Sequence, residues 1–256
     1  MTQIGKHSRK LAQLRKAFRH GTLLPDGLLP IEGKILLEEA QRSRIEIVDL
    51  FVRNGIPVPK TASGQIRVEE VPAAVFRTIQ ETEQSQGIVA TVRPRQFSLA
   101  DILSRTPALI VVLCRLQDPG NVGTILRVSE AFGATGCVSL SGTASIYNSK
   151  VVRASAGSLF RLPHFGGAEL QETIAALQSK NIRIIGTSPT SASSIETWDW
   201  RTPTAILIGN EGSGLNPKEL GYCDTVLRIP HNPTVESLNS ALATAVILYE
   251  ASKQRR

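Results

Sequence analysis

The sequence predicts an α/β protein built from a small α/β unit followed by a larger unit with a mostly parallel sheet. From Ala108 onward, runs typical of buried strands alternate with runs of helical spacing. A shorter alternation of strand-like and helical runs forms the first unit. The proline-containing residues 96–107 between the two units suit an extended interdomain linker. We therefore expect one domain over residues 1–95 and another over residues 108–256.

The first unit is expected to begin with an amphipathic basic helix, because Leu11, Leu14 and Phe18 recur at helical intervals. After it the pattern predicts strands at 28–32, 46–52 and 88–92, and helices at 33–42 and 71–80. The apolar residues expected to face inward in the first of these two helices are Ile35, Leu36 and Ala40. This order favours a compact α/β layer.

The second unit opens with Ala108–Leu113, a continuous apolar run typical of a strand that is buried on both faces. Further strands are predicted at 137–140, 182–186, 204–209 and 225–229, and helices at 122–132, 170–178 and 236–250. Ligands of such sheets bind beyond the carboxyl ends of the strands. We therefore expect a ligand site in the loops that follow these strands.

The positive charge is concentrated at the N-terminus. The chain carries a net charge of +7, and its first 20 residues contain no acid and the basic residues Lys6, Arg9, Lys10, Arg15, Lys16 and Arg19. A basic arm on a nearly neutral body indicates contact with a polyanion, and we take these six residues as candidate RNA contacts. A solvated terminus is the plain alternative, and an amphipathic basic helix suits a membrane surface equally well.

Several protein classes are excluded by composition. The longest apolar run is far short of the ~20 residues of a membrane span, and no apolar core follows the basic start as in a signal peptide. The cysteines Cys114, Cys137 and Cys223 are widely spaced and form no CxxC pair. We therefore expect no metal site and no disulfide framework, but reduced cysteines in a cytoplasmic protein.

The first stretch that could carry chemistry covers residues 117–127, just beyond the first buried strand of the second unit. Asn121 is predicted to cap the helix that opens there, while Gly120 and Gly123 allow close backbone approach. The guanidinium of Arg127 could hold a phosphate. Taken alone, this stretch is better explained by ordinary capping and a solvated arginine.

The second stretch, residues 205–215, is a buried strand that ends in a glycine-rich loop. It matches neither GxGxxG nor a P-loop, and Glu211 would repel phosphates. A neutral or cationic ligand fits better, and the sulfonium of S-adenosylmethionine is positively charged. A tight loop with a surface glutamate is the alternative.

The third stretch follows Ile229-Pro230, where Ser237 and Asn239 precede a helix rich in small residues. Such residues cap helices, and the helix N-terminus would also direct N–H donors at a ligand. In a fourth stretch, residues 148–158, Lys150 and Arg153 suggest a basic surface beside the site.

Together and in this order, the first three stretches resemble the motifs of SpoU-type methyltransferases, members of the SPOUT superfamily, over residues 108–252. Ile31-Glu32-Gly33 and Gln86-Gly87-Ile88 in the first unit resemble the L30e-like RNA-binding domain that is often fused to this family. The resemblance implies S-adenosylmethionine-dependent methylation of a ribose 2′-hydroxyl in RNA. It also implies a trefoil knot around the cofactor and a homodimer formed through the C-terminal domain.

Carried over residue by residue, the resemblance implies the catalytic residues Asn121, Arg127, Glu211, Ser237 and Asn239. It implies cofactor contacts at Leu207, Gly209, Asn210, Gly212, Ile229, Pro230, Ser237, Leu238 and Asn239. Family members usually carry Met after the proline and Gly two residues later, whereas this chain has His231-Asn232-Pro233. We expect Arg127 to grip the substrate phosphate rather than act as a base, because arginine stays protonated in proteins.

Other functions remain open at the level of sequence. The additional RNA-binding domain favours ribosomal RNA as the substrate, with transfer RNA as the alternative. A non-catalytic RNA-binding protein would not need the motif residues that are present here. A nucleotide-dependent oxidoreductase would need a glycine fingerprint with an acidic residue ~20 positions later, which residues 120–123 do not supply.

Overall fold

The computed structural model describes residues 8–59 and 66–256, together with the backbone of residues 2 and 3. Its strands are β1 (Thr2–Gln3), β2 (Leu29–Glu32), β3 (Glu46–Arg53), β4 (Arg67–Val71), β5 (Ile88–Arg93), β6 (Leu109–Leu113), β7 (Gly136–Leu140), β8 (His164–Ala168), β9 (Arg183–Thr187), β10 (Thr204–Ile208) and β11 (Thr225–Leu227). Its α-helices are α1 (Arg9–His20), α2 (Lys34–Arg42), α3 (Ala73–Phe76), α4 (Leu99–Leu103), α5 (Pro119–Ala131), α6 (Ser149–Ala154), α7 (Leu170–Ser179), α8 (Pro217–Leu220) and α9 (Ser240–Gln254).

The chain divides into two compact units. The first contains Met1–Gln96 and Tyr147–Phe160, and the second contains Phe97–Ile146 and Arg161–Arg256. Helix α6 therefore belongs to the first unit. Residues 97–107, proposed from the sequence as a linker, are grouped with the second unit, where Ile102 of α4 is fully buried in the core.

The first unit is a five-stranded sheet in the order β1-β4-β3-β5-β2, in which β5 runs antiparallel to both of its neighbours. Helix α1 forms as the helical spacing predicts, with Leu11, Leu14 and Phe18 buried in a core that also contains Phe51 and Phe76. Since this core covers the apolar face of α1, that face is not free to enter a membrane surface.

Two predictions for the first unit are wrong. Ile35 is 66% exposed, because α2 buries Leu36, Leu37 and Ala40, and Ile35 lies about 100° or more round the helix from each of them. The predicted helix 71–80 is reduced to the four residues of α3, since residues 67–71 pair with β3 as a strand. Pro72 separates the two elements, as its missing N–H suits a helix start better than a strand.

The second unit confirms the predicted fold class, because all six strands of its sheet are parallel, in the order β11-β9-β10-β6-β7-β8. Ile110 and Val112 of β6 pack in one core with residues of α4 and α7. Val111 and Leu113 point to the opposite face and are also fully buried. The sheet is therefore covered on both faces, as the continuous apolar strands require.

The strand order decides which loops become neighbours. Because β10 pairs with β6, with Ile208 opposite Leu113, the loops that follow these two strands leave the sheet side by side. The carboxyl ends of β9 and β11 extend the same edge. The sequence did not predict β8, whose Gly166 and Gly167 are poor strand formers. In the described part of the chain, no helix is long and apolar enough to cross a membrane.

Candidate functional site

A cavity of about 340 Å³ lies at the carboxyl ends of β9, β10 and β11. It is lined by residues 187–189, 208–215 and 236–238, together with Leu220, Leu227, Ile229, His231, Ser240 and Ala243. This volume falls at the small end of the range of small-molecule sites, roughly 300–1,000 Å³. The lining combines apolar side chains with the carboxylates of Glu211 and Glu236, which suits a ligand with an apolar ring and a positive charge.

The loop after β10 is closed on itself by its own backbone. Asn210 N–H donates to the Gly214 carbonyl at 3.1 Å, and Gly214 N–H donates to the Asn210 carbonyl at 2.9 Å. The Asn210 side chain accepts from the N–H groups of Gly212 and Ser213, both at 3.1 Å, and donates to the Arg115 carbonyl at 2.9 Å. The wall that this loop contributes to the cavity is therefore preformed.

Glu211 joins this loop to the loop after β6. Its carboxylate accepts from the backbone N–H groups of Gln117 and Asp118, each at 3.1 Å, and from the Asn121 amide at 3.2 Å. Partial burial works to raise the pKa of Glu211, but these hydrogen bonds outweigh it, and the net pKa lies below the ordinary value. The carboxylate is therefore ionised at neutral pH and acts mainly as a tie between the two loops.

A relay of side-chain amides connects all three sequence motifs. Asn239 donates through Nδ2 to Asn121 Oδ1 at 3.0 Å, and Asn121 donates through its own Nδ2 to Glu211 Oε1. Asn239 also caps α9, since its Oδ1 accepts from the N–H groups of Ala241 and Leu242. The fold thus brings together three residues that lie 118 and 90 positions apart in sequence.

The helix cap predicted at Asn121 is wrong. Helix α5 is capped by Asp118, whose carboxylate accepts from Gly120 N–H at 2.8 Å, with Pro119 in the first turn. Proline is favoured there because its missing N–H would have no partner inside the helix. Asn121 therefore lies within the first turn, where its amide is free to bridge Asn239 and Glu211.

Arg115 and Glu219 form an ion pair that the sequence analysis missed. Arg115 donates through Nε and Nη2 to the two carboxylate oxygens of Glu219, at 3.0 and 2.9 Å, and this hydrogen bonding raises the pKa of Arg115. Its Nη2 also reaches the Gly214 carbonyl at 3.3 Å. Glu219 is buried and accepts from the Asn216 N–H at the start of α8. The pair ties β6 to the far side of the loop after β10.

Some of the remaining predicted site residues line the cavity and others do not. Ser237 and Leu238 line the cavity, as do Gly209, Asn210, Gly212 and Ile229. Leu207 is fully buried in the core, and neither it nor Pro230 belongs to the lining. Asn121 and Asn239 also lie outside the lining, and their side-chain amides are connected to it through Glu211.

Arg127 does not line the cavity. It is exposed on α5, and in the described part of the chain its guanidinium has no hydrogen-bond or ion-pair partner. Six residues after Asn121, it lies about 9 Å along the helix and about 120° round its axis. The charge expected to hold the substrate phosphate is thus on a different face of α5 from the amide relay.

The predicted RNA contacts fall into groups. Lys6 lies outside the described residues. Lys10 is paired with the buried Asp49, and Arg15 donates to Thr78 Oγ1 at 2.9 Å, so both have roles within the first unit. Arg9, Lys16 and Arg19 are exposed on α1. Lys150 is exposed on α6 of the same unit, whereas Arg153 is partly buried and one of its guanidinium nitrogens is enclosed.

Sequence reasoning also missed the cavity residues Thr187, Ser188 and Pro189. Thr187 is the last residue of β9 and the other two follow it, so the rule that ligands bind at strand carboxyl ends could have found them. His231 was noted only as a departure from the family pattern, yet it lines the cavity as well. In the part of the chain that the structure describes, no three His, Cys, Asp or Glu side chains are grouped as a metal site would require.

Comparisons with known proteins agree on one family. The sequence model of the SpoU rRNA methylase family matches residues 108–249, and that of the RNA 2′-O ribose methyltransferase substrate-binding domain matches residues 30–98. An uncharacterised tRNA/rRNA methyltransferase of Synechocystis is 30% identical over 98% of this chain and 90% of its own. The Bacillus subtilis 23S rRNA (guanosine(2553)-2′-O)-methyltransferase RlmP is 29% identical over 86% of each chain. The SpoU methyltransferase AviRb of Streptomyces viridochromogenes, solved in complex with AdoMet, has a TM-score of 0.86 and 27% identity, covering 97% of this chain and 98% of its own.

Proposed function

The chain belongs to the SpoU rRNA methylase family, and we propose that it methylates a ribose 2′-hydroxyl of ribosomal RNA. The resemblance drawn from the three motifs is thereby confirmed, as is the enzyme class, an S-adenosylmethionine-dependent RNA 2′-O-methyltransferase. The observation that carries the proposal is the Asn239–Asn121–Glu211 relay, which connects the first and third motifs to Glu211 in the cavity wall.

Ribosomal RNA is supported by two observations. RlmP, which is similar over most of both chains, carries a 23S rRNA name, and a substrate-binding domain precedes the methyltransferase domain in this chain. Transfer RNA is the second candidate, because the Synechocystis relative is named a tRNA/rRNA methyltransferase. RlmP is 29% identical, so its particular nucleotide is not transferred to this chain.

The cavity suits S-adenosylmethionine, which is the ligand of the similar AviRb structure. Leu215, Leu227 and Ile229 offer an apolar surface for an adenine ring. Glu211 and Glu236 bring negative charge that complements the sulfonium and the amino group. We propose that the residues lining this cavity hold the cofactor, with Gly209 and Ile229 contributing backbone.

Bound S-adenosylmethionine supplies an electrophilic methyl group on its sulfonium sulfur. Asn121, Glu211 and Asn239 keep the surrounding loops in register, so the reacting atoms can be aligned without further ordering. Arg127 grips the phosphate next to the reacting ribose and stabilises negative charge on the 2′-oxygen as its proton passes to phosphate or water. A guanidinium serves this role better than a lysine, because its planar fork binds phosphate in two places.

The test is to map 2′-O-methyl groups in the ribosomal and transfer RNA of cells with and without the gene. Loss of one ribosomal mark, restored when the purified protein and S-adenosylmethionine are added to the unmodified RNA, is the expected result. Loss of a transfer RNA mark instead would select the second candidate. If no mark disappears and the protein transfers no methyl group to either RNA, the proposal is wrong.

We propose that α1 contributes to RNA binding through Arg9, Lys16 and Arg19. Arg9 and Lys16 are exposed two helical turns apart, about 10 Å, and so project from the same side of α1. Replacing all three by glutamine should weaken RNA binding. It should also lower the slope of log affinity against log salt by about 2 to 3, at roughly 0.7–0.9 per lost phosphate contact. Fluorescence anisotropy of labelled ribosomal RNA fragments over a salt series measures both.

The matched control removes three exposed charges elsewhere, by changing Arg105, Lys180 and Arg256 to glutamine. Net charge falls equally in the two variants, so only a local contact separates them. An identical salt slope in both variants would show that α1 does not bind RNA.

A homodimer through α9 is also proposed. Leu242, Val246 and Tyr249 are 61%, 40% and 52% exposed, and their spacing places them in one stripe. Tyr249 packs edge-on against Phe132, which follows α5, at a ring distance of 5.9 Å, so α5 borders this stripe. A second copy on this face would cover the apolar stripe.

Changing both Leu242 and Val246 to glutamate should convert the protein to a monomer, because two charges would be buried without partners in the interface. Sedimentation equilibrium should then give the mass of one chain, 27.7 kDa, rather than twice that mass. Ile35→Glu, which changes an exposed apolar residue of the first unit, should leave the dimer intact. A wild-type protein that sediments as a monomer contradicts the proposal. The trefoil knot and the cytoplasmic location stay predictions.

A further inference from the structure

His231 closes the loop that leads into the third motif. One ring nitrogen, Nδ1, lies 2.7 Å from the Ile229 carbonyl oxygen, and the other, Nε2, lies 3.1 Å from that of Val235. The imidazole thus spans both ends of residues 229–235. A neutral ring donates to one of these carbonyls, and an imidazolium donates to both.

These contacts of the His231 ring compensate for backbone N–H donors that the loop lacks. Pro230 and Pro233 have no N–H, so two positions of a short loop donate nothing. At the tip, Asn232 accepts from Thr234 N–H and Oγ1 at 3.0 and 2.8 Å, which forms a local turn but does not connect the ends. The side chain of His231 makes that connection as an imidazolium, which donates to both carbonyls.

The two carbonyls border the cavity wall. Ile229 lines the cavity itself, and Val235 is followed at once by Glu236, Ser237 and Leu238, which line it too. His231 also faces the cavity. Fixing the distance between Ile229 and Val235 therefore fixes two stretches of the wall relative to each other before any ligand arrives, which lowers the ordering cost of binding.

We propose that His231 is a positioning residue for S-adenosylmethionine, which as an imidazolium clamps the loop through the Ile229 and Val235 carbonyls and sets cofactor affinity rather than the rate of transfer. This rests on the proposed function of the cavity. The methionine usual in the family could not replace the clamp, because a thioether has no hydrogen to donate.

The test compares His231→Leu, which has no donor, with His231→Gln, whose amide keeps one. We expect KM for S-adenosylmethionine to rise roughly tenfold in the leucine variant and about threefold in the glutamine variant, as expected for losing both hydrogen bonds or one of them. The value of kcat should stay within about twofold. Calorimetric Kd values for S-adenosylmethionine should follow the same order. Thr234→Val, which removes one hydrogen bond at the loop tip, is the matched control and should leave KM and Kd unchanged.

The outcomes separate this inference from the function on which it rests. If the wild-type protein binds no S-adenosylmethionine, the proposed function fails together with the inference. If the wild type binds and His231→Leu binds equally well, with far-ultraviolet circular dichroism confirming its fold, the clamp is wrong and the function stands. An unchanged KM with a reduced kcat would also overturn it, because His231 would then act in the transfer step.

Discussion

Replacing Gly209 by alanine is expected to reduce binding of S-adenosylmethionine by up to about a hundredfold. A Cβ at this position would lie 2.3 Å from the carbonyl carbon of Gly214 and 2.4 Å from the backbone nitrogen of Leu215. Both are backbone atoms, so no side chain can turn aside to make room. The loop would have to open, and the two backbone hydrogen bonds between Asn210 and Gly214 would be lost with it.

The magnitude follows from the cost of overpacking. At its upper end, about 3 kcal/mol, this cost corresponds to roughly a hundredfold in Kd if it falls on the loop. Isothermal titration with S-adenosylmethionine measures it, alongside the melting temperature of the variant. Part of the cost will appear as lower stability, because Gly209 directly follows β10.

Gly166→Ala is the matched control, since its added Cβ would meet only the Ile146 side chain, at ordinary distances of 3.4 Å from Cδ1 and 3.6 Å from Cγ1. That variant should bind the cofactor as the wild type does. A Gly209→Ala protein that remains folded and binds with wild-type affinity would show that the loop after β10 is not part of the cofactor site.

Arg127→Ala is expected to lower kcat by about a hundredfold, the order expected when a charge that aligns the reacting groups is removed. Cofactor binding should not change, because Arg127 does not line the cavity. Stability should change little as well, since no described residue pairs with the exposed guanidinium. Arg127→Lys should recover only part of the rate, because lysine keeps the charge but not the planar fork.

Single-turnover methyl transfer at saturating cofactor measures this loss without interference from product release. Arg105→Ala changes another exposed arginine of the same unit and should retain the full rate. Wild-type turnover by Arg127→Lys would show that the planar guanidinium fork is not needed for methyl transfer. Wild-type turnover by Arg127→Ala would show that Arg127 has no role in methyl transfer.

The fold class could be predicted because it depends on local patterns. Ala108–Leu113 is apolar throughout, and such a strand is stable only between two covering layers, as the structure confirms. The helical spacing of Leu11, Leu14 and Phe18 likewise predicted α1. Some wrong predictions concern single residues at element ends, such as Ile35 and the cap at Asn121, whereas the helix predicted over residues 71–80 and the missed β8 concern whole elements. Neighbouring residues of a helix point about 100° apart, so an error of one residue in the buried face exchanges a buried side chain for an exposed one.

By itself, then, the sequence determined the family, the parallel sheet and the three stretches around which the site is built. Only the tertiary structure decided which side chains meet. The pairing of β6 with β10 places Gln117 and Asp118 against Glu211, and no spacing along the chain encodes that neighbour relation. The fold likewise commits Lys10 to Asp49, because a buried carboxylate needs a partner. It also turns Arg127 away from the amide relay, since six residues are not a whole number of helical turns.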